Sequence, residues 1–478
     1  MKAELRALAA GPFIEKWRDR VGTEPFQIPA RTFLANHYGA REDGRTSSTT
    51  AIQQAIDEAA AAGGGVVEFL PGTYVTGSLF LRTNVRLHLA EAVTLLGSEN
   101  DEEWPWLFTR AAGIEMQWRA AMINVRQQEN VEISGNGRVN ARGKRWWDRF
   151  WNALPEAEKR GLRWAIDYDI ARPHLIQIYE SRNVIVSGIT LQNSPFWTFD
   201  IVYSKNITVD GITVRNNLDG LGPSTDGINI DSSAFVVVQN CDVDCNDDCY
   251  SFKSGMNADG HRINLPAQYS IFRNSVARAG HGGITLGSDM SGGIRHVEAS
   301  RIQCLGTDAG IRFKSARIRG GEVERVRFHD VSMENVDVAF QWVLNWFPQF
   351  SYPEIPEGIT GIPDHWRVMT AKIPADQAIP HFHDIEIDGV RAIGTRVAFE
   401  VEAAPEKPLE NIHLKNLEIR AQTSGGIRHA RNWTAENVAL VPADHQPVSL
   451  QDSSNVSLNE PVGHGRMERQ PETSEQNR

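Results

Sequence analysis

From about Glu129 onward, the chain repeats one short pattern of alternating apolar and polar residues. Residues 183–190 read Asn-Val-Ile-Val-Ser-Gly-Ile-Thr, and residues 206–213 read Asn-Ile-Thr-Val-Asp-Gly-Ile-Thr. Alternation of this kind, rich in β-branched residues and ended by Gly or Asn, predicts short strands and turns. Positions equivalent to the glycine of this pattern recur mostly every 21 to 34 residues, at Gly135, Gly188, Gly211, Asn240, Asn274, Arg301, Asp330, Gly389, Asn416, Asn437 and Glu460.

A repeat of this length predicts a solenoid, and the lack of helical spacing favours strands over helices. The pattern therefore predicts an all-β fold, a single-stranded parallel β-helix, in which residues at matching offsets stack about 4.8 Å apart. We expect one β-helix domain over residues 34–462, with insertions near 141–175 and 341–380. A lead-in of residues 1–33 precedes it, and a polar tail of residues 463–478 follows.

One segment near the start shows helical periodicity. Its apolar residues predict a helix over residues 49–62, with Thr49 or Thr50 as the N-cap and Gly63–Gly65 as the stop. These apolar residues are Ala51, Ile52, Ala55, Ile56, Ala59 and Ala60. Such a capping helix can cover the open end of a stacked sheet, which otherwise exposes unpaired backbone groups.

Composition narrows the functional classes. A formal net charge of −11 argues against nucleic acid and against an anionic membrane as partners. The sequence has no apolar run of about 18 residues, so we expect no membrane span. Four cysteines, all between Cys241 and Cys304, are too few for a disulfide framework in 478 residues. The first residues lack signal-peptide character, which predicts a cytoplasmic location, or a secreted or periplasmic one if a leader has been removed.

Acidic and basic residues recur at coil spacing in the centre of the chain. Asp247 and His281 each lie seven residues after a repeat mark, and Asp226 lies one coil before Asp247. Crowded carboxylates raise the pKa of at least one of them, and a protonated acid beside an ionised one is what glycosidic cleavage requires. Asp248 is a difficulty, because strict alternation would bury it with Tyr250. Both carboxylates can act only if the pair lies at a strand end or a bulge.

Two cations follow on the same predicted face. Arg312 and Lys314 are two residues apart, so both side chains point the same way on a strand and suit a carboxylate ligand. Taken alone, the aspartate pair would indicate a turn in the backbone rather than a catalytic site. Together with His281 and the two cations at coil spacing, it indicates a catalytic site.

These motifs resemble those of glycoside hydrolase family 28, the polygalacturonases and rhamnogalacturonan hydrolases that act on pectin. They are Ser224-Thr225-Asp226-Gly227, Asn246-Asp247-Asp248-Cys249, Gly280-His281-Gly282-Gly283 and Arg312-Phe313-Lys314. The resemblance covers roughly residues 38–460 and implies a right-handed β-helix like that of pectin lyases. It also implies inversion of configuration, no metal or other cofactor, and a pectic oligo- or polysaccharide substrate. It makes no prediction of oligomeric state.

The resemblance also implies roles for single residues. Asp247 would be the general acid, and Asp226 with Asp248 would hold the attacking water, with acid and base about 6.5–9.5 Å apart. His281 would tune the acid by hydrogen bonding. Arg312 and Lys314 would bind the carboxylate of a galacturonate. Ser224 and Asn246, which border these groups and depart from the usual family residues, would contribute to substrate binding.

The two insertions are rich in aromatic residues, which either pack onto the solenoid wall or form sugar-binding walls. By this count the second insertion contains Trp342, Trp346, Phe347, Phe350, Tyr352 and Trp366. Walls that block one end of a groove favour removal of units from a chain end. Two alternatives remain open: a polysaccharide lyase on the same fold, and a non-catalytic carbohydrate-binding β-helix.

Two further patterns have metal-like spacing. Cys241, Cys245 and Cys249 lie four residues apart, but small residues commonly stack in solenoid cores. His381 and His383 flank Phe382, and with no partner cluster in view we expect a surface strand there.

Overall fold

The computed structural model describes residues 1–217 and 220–458. Its α-helices are α1 (Lys2–Ala10), α2 (Thr49–Ala61), α3 (Lys144–Lys159), α4 (Ile166–Asp169), α5 (Asn257–Ile263), α6 (Pro348–Ser351), α7 (Asp364–Thr370) and α8 (Ala375–Ala378), with short 3₁₀ helices at Trp17–Arg20, Ala35–Tyr38 and Asp101–Glu103. In these two ranges no helix has the length and apolar character that crossing a bilayer requires.

Most of the chain forms short strands. They are β1 (Thr32–Leu34), β2 (Asp43–Ser47), β3 (Gly65–Glu68), β4 (Gly72–Thr76), β5 (Leu79–Leu81), β6 (Val85–Leu89), β7 (Val93–Gly97), β8 (Trp106–Ala111), β9 (Ile114–Arg119), β10 (Ile123–Arg126), β11 (Glu129–Gly135), β12 (Arg138–Asn140), β13 (Ile176–Tyr179), β14 (Arg182–Ser187), β15 (Thr190–Gln192), β16 (Phe199–Val202), β17 (Lys205–Asp210), β18 (Thr213–Arg215), β19 (Ile228–Asp231), β20 (Ala234–Gln239), β21 (Asp242–Asp244), β22 (Asp248–Lys253), β23 (Ala267–Arg278), β24 (Gly282–Gly287), β25 (Ile294–Leu305), β26 (Ala309–Lys314), β27 (Glu322–Glu334), β28 (Val338–Val343), β29 (His381–Glu402), β30 (Leu409–Arg428), β31 (Ala430–Pro442), β32 (Ser449–Gln451) and β33 (Ser454–Val456).

Thirty-one of these strands belong to one sheet, in which each strand pairs in parallel with its equivalent one coil later. For example, β19 pairs with β22, β22 with β24, β24 with β26 and β26 with β28. The other two, β8 and β9, form an antiparallel hairpin that the sequence pattern did not predict. The predicted all-β fold, a parallel β-helix, is confirmed.

The turn that marks each repeat has a common backbone conformation. All ten repeat marks from Gly135 to Asn437 have positive φ, whereas Glu460 lies outside the described residues. Gly and Asn enter this left-handed region at lower cost than other residues, which explains their recurrence. Side chains then link successive turns: Asn437 donates to Asn416, and Asn416 donates to Asp388, each at 2.8 Å.

The interior of the coil is a continuous apolar core. Its members include all four cysteines, which are free thiols and buried. Cys245 and Cys249 approach with 3.7 Å between their sulfur atoms. The prediction that these cysteines form no disulfide framework and stack in the core is confirmed.

The predicted capping helix is α2, which packs against β1, β3, β5 and β6 at the first coil. It buries the predicted stripe of Ile52, Ala55, Ile56 and Ala59. The predicted cap residue is wrong, because the helix begins at Thr49 and Ser48 occupies the N-cap position. The Ser48 hydroxyl accepts a hydrogen bond from the Arg41 backbone N–H at 2.9 Å.

The lead-in packs across the outside of the sheet. Leu5 and Trp17 are buried there in a small apolar cluster that contains Tyr203, Phe235 and Tyr269. The first strand begins at residue 32, within the predicted lead-in. Residues 459–462 of the predicted β-helix domain and the predicted tail, 463–478, lie outside the described residues.

Both insertions leave the sheet close to where the sequence placed them. The first lies between β12 and β13 and contains α3 and α4. The second follows β28, which runs to Val343, so it begins three residues later than predicted. Trp342 is therefore a core residue rather than an insertion residue, and its ring stacks on Phe313 with centroids 4.6 Å apart.

Packing of α2 on the first coil predicts a specific loss of stability. Ile56 is fully buried in the core, so Ile56→Ala should lower the free energy of unfolding by about 2–4 kcal/mol, through lost burial and the cavity left behind. Glu58→Ala, on the exposed side of the same helix, should change it by less than about 0.5 kcal/mol. Urea unfolding followed by circular dichroism measures both, and equal stability of the two variants would contradict this account of the cap.

Candidate active site

Four neighbouring coils present most of the predicted site residues to one cavity, whereas Asn246 and Asp248 are not among its lining residues. The strands concerned are β19, β22, β24 and β26, which lie side by side in the sheet. The cavity has a volume of about 270 Å³. Its lining residues are Ala112, Arg163, Asp167, Phe196, Trp197, Ser224, Asp226, Asp247, Lys253, His281, Ser288, Asp289, Arg312, Lys314, Trp346, Phe347 and Phe350.

The difficulty with adjacent Asp247 and Asp248 is resolved by their position at a strand end. Asp247 precedes β22, and Asp248 is its first residue. Strict alternation also fails directly afterwards, since both Cys249 and Tyr250 lie in the apolar core. The Asp248 side chain is fully buried, yet its carboxylate lies among polar groups rather than in the apolar core, and it accepts a hydrogen bond from the Thr285 hydroxyl at 2.9 Å.

The three predicted carboxylates form a tight group. One oxygen from each of Asp226, Asp247 and Asp248 lies within 4.8 Å of the others. This is closer than the separation of about 6.5–9.5 Å expected between acid and base in an inverting enzyme. Such a group could also bind a cation, but Lys253, Arg312 and Lys314 already supply positive charge to it. The arrangement therefore favours acid–base chemistry.

Asp248 is held in its ionised form. Lys314 Nζ lies 2.7 Å from Asp248 Oδ2, and Arg312 Nη1 lies 3.3 Å from Asp248 Oδ1. Burial alone would raise the pKa of Asp248, but attraction to Lys314, Arg312 and Lys253 outweighs it and holds the pKa well below its usual range. The two predicted carboxylate-binding cations thus already form ion pairs with Asp248.

For Asp226, burial outweighs the attraction to nearby cations, so its pKa is raised rather than lowered. Burial raises the pKa of Asp226 to about 7, repulsion from Asp247 and Asp248 adds to the rise, and attraction to Lys253 opposes it. Lys253 Nζ lies 3.1 Å from Asp226 Oδ2. The sequence predicted that one crowded carboxyl would have a raised pKa, and the structure assigns this property to Asp226 chiefly through burial.

Lys253 is a site residue that the sequence interpretation missed. Its signal lies in the repeat register: Phe252 pairs with Leu286, Leu286 with Phe313, and Gly287 with Lys314. Lys253 therefore occupies the position of Lys314 two coils earlier. Its ammonium also lies 4.4 Å from the ring centroid of Trp197, a favourable cation–π contact.

The remaining predicted residues are placed differently from one another. His281 is exposed at the cavity, and its backbone N–H donates to the Asp247 carbonyl at 2.9 Å. Ser224 lines the cavity and donates to Asp167 Oδ1 at 2.9 Å. Asn246 is not among the cavity-lining residues, and its amide donates to the carbonyls of Gly220 and Gly222. The side-chain hydrogen bond predicted between His281 and the acid stays a prediction.

Both insertions reach the cavity and contact each other. Arg163 and Asp167 come from the first, and Trp346, Phe347 and Phe350 come from the second. The rings of Trp164 and Trp366 lie 5.2 Å apart, and Trp366 Nε1 donates to Asp169 Oδ1 at 2.8 Å.

Of the aromatics predicted in the second insertion, some pack against the protein and others line the cavity. Trp366 is buried in the contact between the insertions. Trp346 faces the cavity, and its ring centroid lies 4.5 Å from Lys314 Nζ. Packing against the protein is therefore confirmed for Trp366, whereas sugar binding by the cavity-lining rings stays a prediction.

The charge network predicts a pH-dependent effect of Asp248→Asn. A carboxyl with a depressed folded pKa stabilises the fold above its unfolded pKa of about 3.9, and this stabilisation is lost as pH falls toward the folded pKa. The variant should therefore lose about 3–5 kcal/mol at neutral pH, because buried cations lose their partner. The difference from wild type should shrink below about pH 4. Thermal unfolding at several pH values measures it.

Asp337→Asn is the matched control, since Asp337 pairs with Arg396 at the surface and such pairs contribute at most about 1 kcal/mol. A stability difference for Asp248→Asn that stays constant between neutral and acidic pH would contradict the ionised state of Asp248.

Known proteins resemble the chain in both sequence and fold. A probable polygalacturonase of Vitis vinifera is 31% identical over 319 residues, covering 65% of this chain and 62% of that protein. An exo-poly-alpha-D-galacturonosidase of Dickeya chrysanthemi is 26% identical over 412 residues, covering 78% of this chain and 64% of that protein. The chain thus spans a little over three fifths of each of these relatives. The crystal structure of a Thermotoga maritima exopolygalacturonase matches with a TM-score of 0.71 and 26% identity, covering 88% of this chain and 95% of that one.

The family model for glycosyl hydrolases family 28 matches residues 94–341, just over half of the chain. The matched range contains every residue of the carboxylate and cation network described above. The chain therefore belongs to glycosyl hydrolases family 28.

Proposed function

We propose that this protein is an inverting glycoside hydrolase that removes galacturonate units from the ends of pectin-derived chains. The observation that carries the proposal is the group of three carboxylates from neighbouring coils within 4.8 Å of one another, beside three cations in one cavity. Family membership and the names of the relatives support the same reaction class.

Accessibility distinguishes the roles of the three carboxylates. The Asp247 side chain is 24% exposed, whereas those of Asp226 and Asp248 are 3% and 0% exposed. A bulky leaving sugar can therefore approach Asp247, which acts as the acid that protonates the glycosidic oxygen. The two buried carboxylates bind the small nucleophile, a water molecule.

The spacing of the buried pair suits this water. Oxygens up to 4.8 Å apart can both accept hydrogen bonds of about 2.7 Å from one bridging molecule. The water then attacks the anomeric carbon as Asp247 protonates the departing oxygen, and its proton passes to the buried pair. A raised pKa makes Asp226 the stronger base of the two. Inversion requires this attack to come from the ring face opposite the departing oxygen.

Recognition of galacturonate follows from charge. Four cationic side chains line the cavity, in a protein whose overall charge is −11, and three of them, Lys253, Arg312 and Lys314, lie beside the carboxylates. Arg312 is suited to a two-pronged contact, because guanidinium groups bind carboxylates bidentately. The ring of Trp346 offers an apolar surface to the sugar face.

Action at a chain end is supported by the contact between the two insertions. Their joined surfaces border the cavity, and its volume of about 270 Å³ is below the about 300–1,000 Å³ typical of pockets for drug-sized ligands. A walled cavity of this size suits a terminal sugar better than the middle of a polymer. The names of the Dickeya and Thermotoga proteins are consistent with this mode.

Product analysis tests the proposed reaction. With oligogalacturonates as substrate, we expect free galacturonate and the chain shortened by one unit from the earliest time points. The first anomer seen by proton NMR should be β, as inversion at an α-linkage requires. Chromatography of the same samples gives the chain lengths.

Each of the other outcomes would indicate a different mode of cleavage or a different reaction. A ladder of intermediate oligomers would show cleavage within the chain, and an initial α-anomer would show retention. Products that absorb in the ultraviolet through a new double bond would show a lyase. A screen that includes rhamnogalacturonan oligomers identifies the sugar next to the cleaved bond.

The acid role of Asp247 predicts a separation of turnover from binding. Asp247→Asn keeps the size of the side chain but removes its proton, so kcat should fall by about 10²–10⁴-fold. KM should change little, because the cations remain. Initial-rate kinetics on oligogalacturonate measure both values.

Asp330→Asn is the matched control, because Asp330 lies at an exposed repeat turn with positive φ that Asn also tolerates. It should retain wild-type kcat. Unchanged kcat in Asp247→Asn would remove this residue from the reaction, and absence of turnover in wild type on every pectic substrate would favour a non-catalytic carbohydrate-binding protein.

A further inference from the structure

A second cluster of titratable residues lies outside the cavity, at the start of β29. His381 and His383 point to the same side, with Phe382 buried in the core between them. Their rings lie 4.4 Å apart. The sequence interpretation expected no partner cluster here, and this expectation is wrong, because the strand register places Glu322 of β27 opposite His381.

Three donor atoms of this cluster converge. Glu322 Oε1 lies 2.9 Å from His383 Nε2 and 3.7 Å from His381 Nδ1. The three residues each offer a ligand atom within 4.8 Å of the others. Donors bound at about 2.0–2.1 Å to a tetrahedral metal lie about 3.3 Å apart, so small side-chain rotations would complete the geometry.

The opposite nitrogens of both imidazoles are already engaged by carboxylates. His381 Nε2 lies 2.8 Å from Glu410 Oε1, and His383 Nδ1 lies 2.9 Å from Asp384 Oδ2. If each of these nitrogens carries the proton and donates, the lone pairs of His381 Nδ1 and His383 Nε2 face Glu322. This carboxylate–histidine arrangement is the usual outer shell of a metal-binding histidine.

The outer carboxylates are fixed in turn. Arg431 Nε donates to Glu410 Oε2 at 2.8 Å, and the Asn411 amide donates to Asp384 Oδ1 at 2.8 Å. Both supporting residues come from coils farther along the solenoid than β29. A chance pair of surface histidines would not require two supported carboxylates behind it.

We propose that His381 Nδ1, His383 Nε2 and Glu322 Oε1 bind one divalent transition-metal ion of the zinc type. Two imidazoles and a carboxylate are a donor set that Zn²⁺ accepts, with water in the fourth position. Glu322 and His381 also line a surface cavity of about 900 Å³, which gives the ion a path from solvent. The site is separate from the proposed hydrolytic chemistry and does not depend on it.

The position of the site indicates its role. The second insertion leaves the sheet after Val343 and returns at His381, and its aromatic residues line the catalytic cavity. A metal that links Glu322 of one coil to both histidines of the next would fix this return point. The ion would thus stabilise the insertion and the cavity wall that it forms.

Metal binding to the full chain tests the proposal. After treatment with EDTA and gel filtration, titration with Zn²⁺ should show one equivalent bound by calorimetry, and Co²⁺ should give the visible absorption of a four-coordinate site. Binding should weaken by at least about 100-fold in His381→Asn/His383→Asn, and by about 10–100-fold in Glu410→Gln, which alters the outer shell alone. Zn²⁺ should also raise the melting temperature of wild type.

His413→Asn is the matched control, because His413 lies on the next coil and hydrogen-bonds to Thr434 at 2.8 Å. It should bind Zn²⁺ as wild type does. Absence of a one-equivalent event in wild type, or equal binding by the double histidine variant, would overturn the proposal. Unchanged affinity in Glu410→Gln would show that the carboxylate behind His381 does not support the site, and would also count against the proposal.

Discussion

The parallel backbone ladder between successive coils is the constraint on which the site depends. It sets the distance from one coil to the next, so residues far apart in the chain are neighbours wherever they share an offset. Asp248 pairs with Gly282, and Thr285 pairs with Arg312. The absence of side chains at Gly282 and Gly287 leaves room above the ladder, since a Cβ at Gly282 would approach Asp248 Oδ1 to 2.9 Å.

Charge balance makes so tight a carboxylate group tolerable. Three acidic side chains in a largely buried space would repel one another and lose hydration at considerable cost. Lys253, Arg312 and Lys314 offset this cost, but they lie unequally close to the three carboxylates. As a result, Asp226 and Asp248 have different pKa values although both are aspartates. Asp248 is held ionised by two cations, whereas Asp226 has one cation and a raised pKa. We propose that the same cations also bind the substrate carboxylate.

Much of this arrangement could be predicted because the repeat is visible in the sequence. The Gly and Asn marks located the turns, and equal offsets placed Asp247 beside His281. Prediction failed where the chain departs from the repeat. Successive burial of Cys249 and Tyr250 breaks alternation, so no rule from the sequence gave the direction of Asp248. Lys253 was not recognised for a related reason. It occupies the same repeat position as Lys314, but the coil between them has Gly287 at that position, so the sequence shows no continuous row of lysines.

Contacts between insertions could not be read from periodicity at all, because insertions have none. The sequence interpretation placed Trp342 in the second insertion, whereas it belongs to β28. The contact between Trp164 and Trp366 joins residues from separate insertions. Both insertions nevertheless begin and end at strands of the sheet, so the strand ladder also determines the positions of the two insertions beside the cavity. Lys314 is the last residue of β26, and its ammonium lies against the ring of Trp346 in the second insertion. The charged group of the cavity and the insertion that borders it are therefore positioned by the same strand, and a shift in one displaces the other.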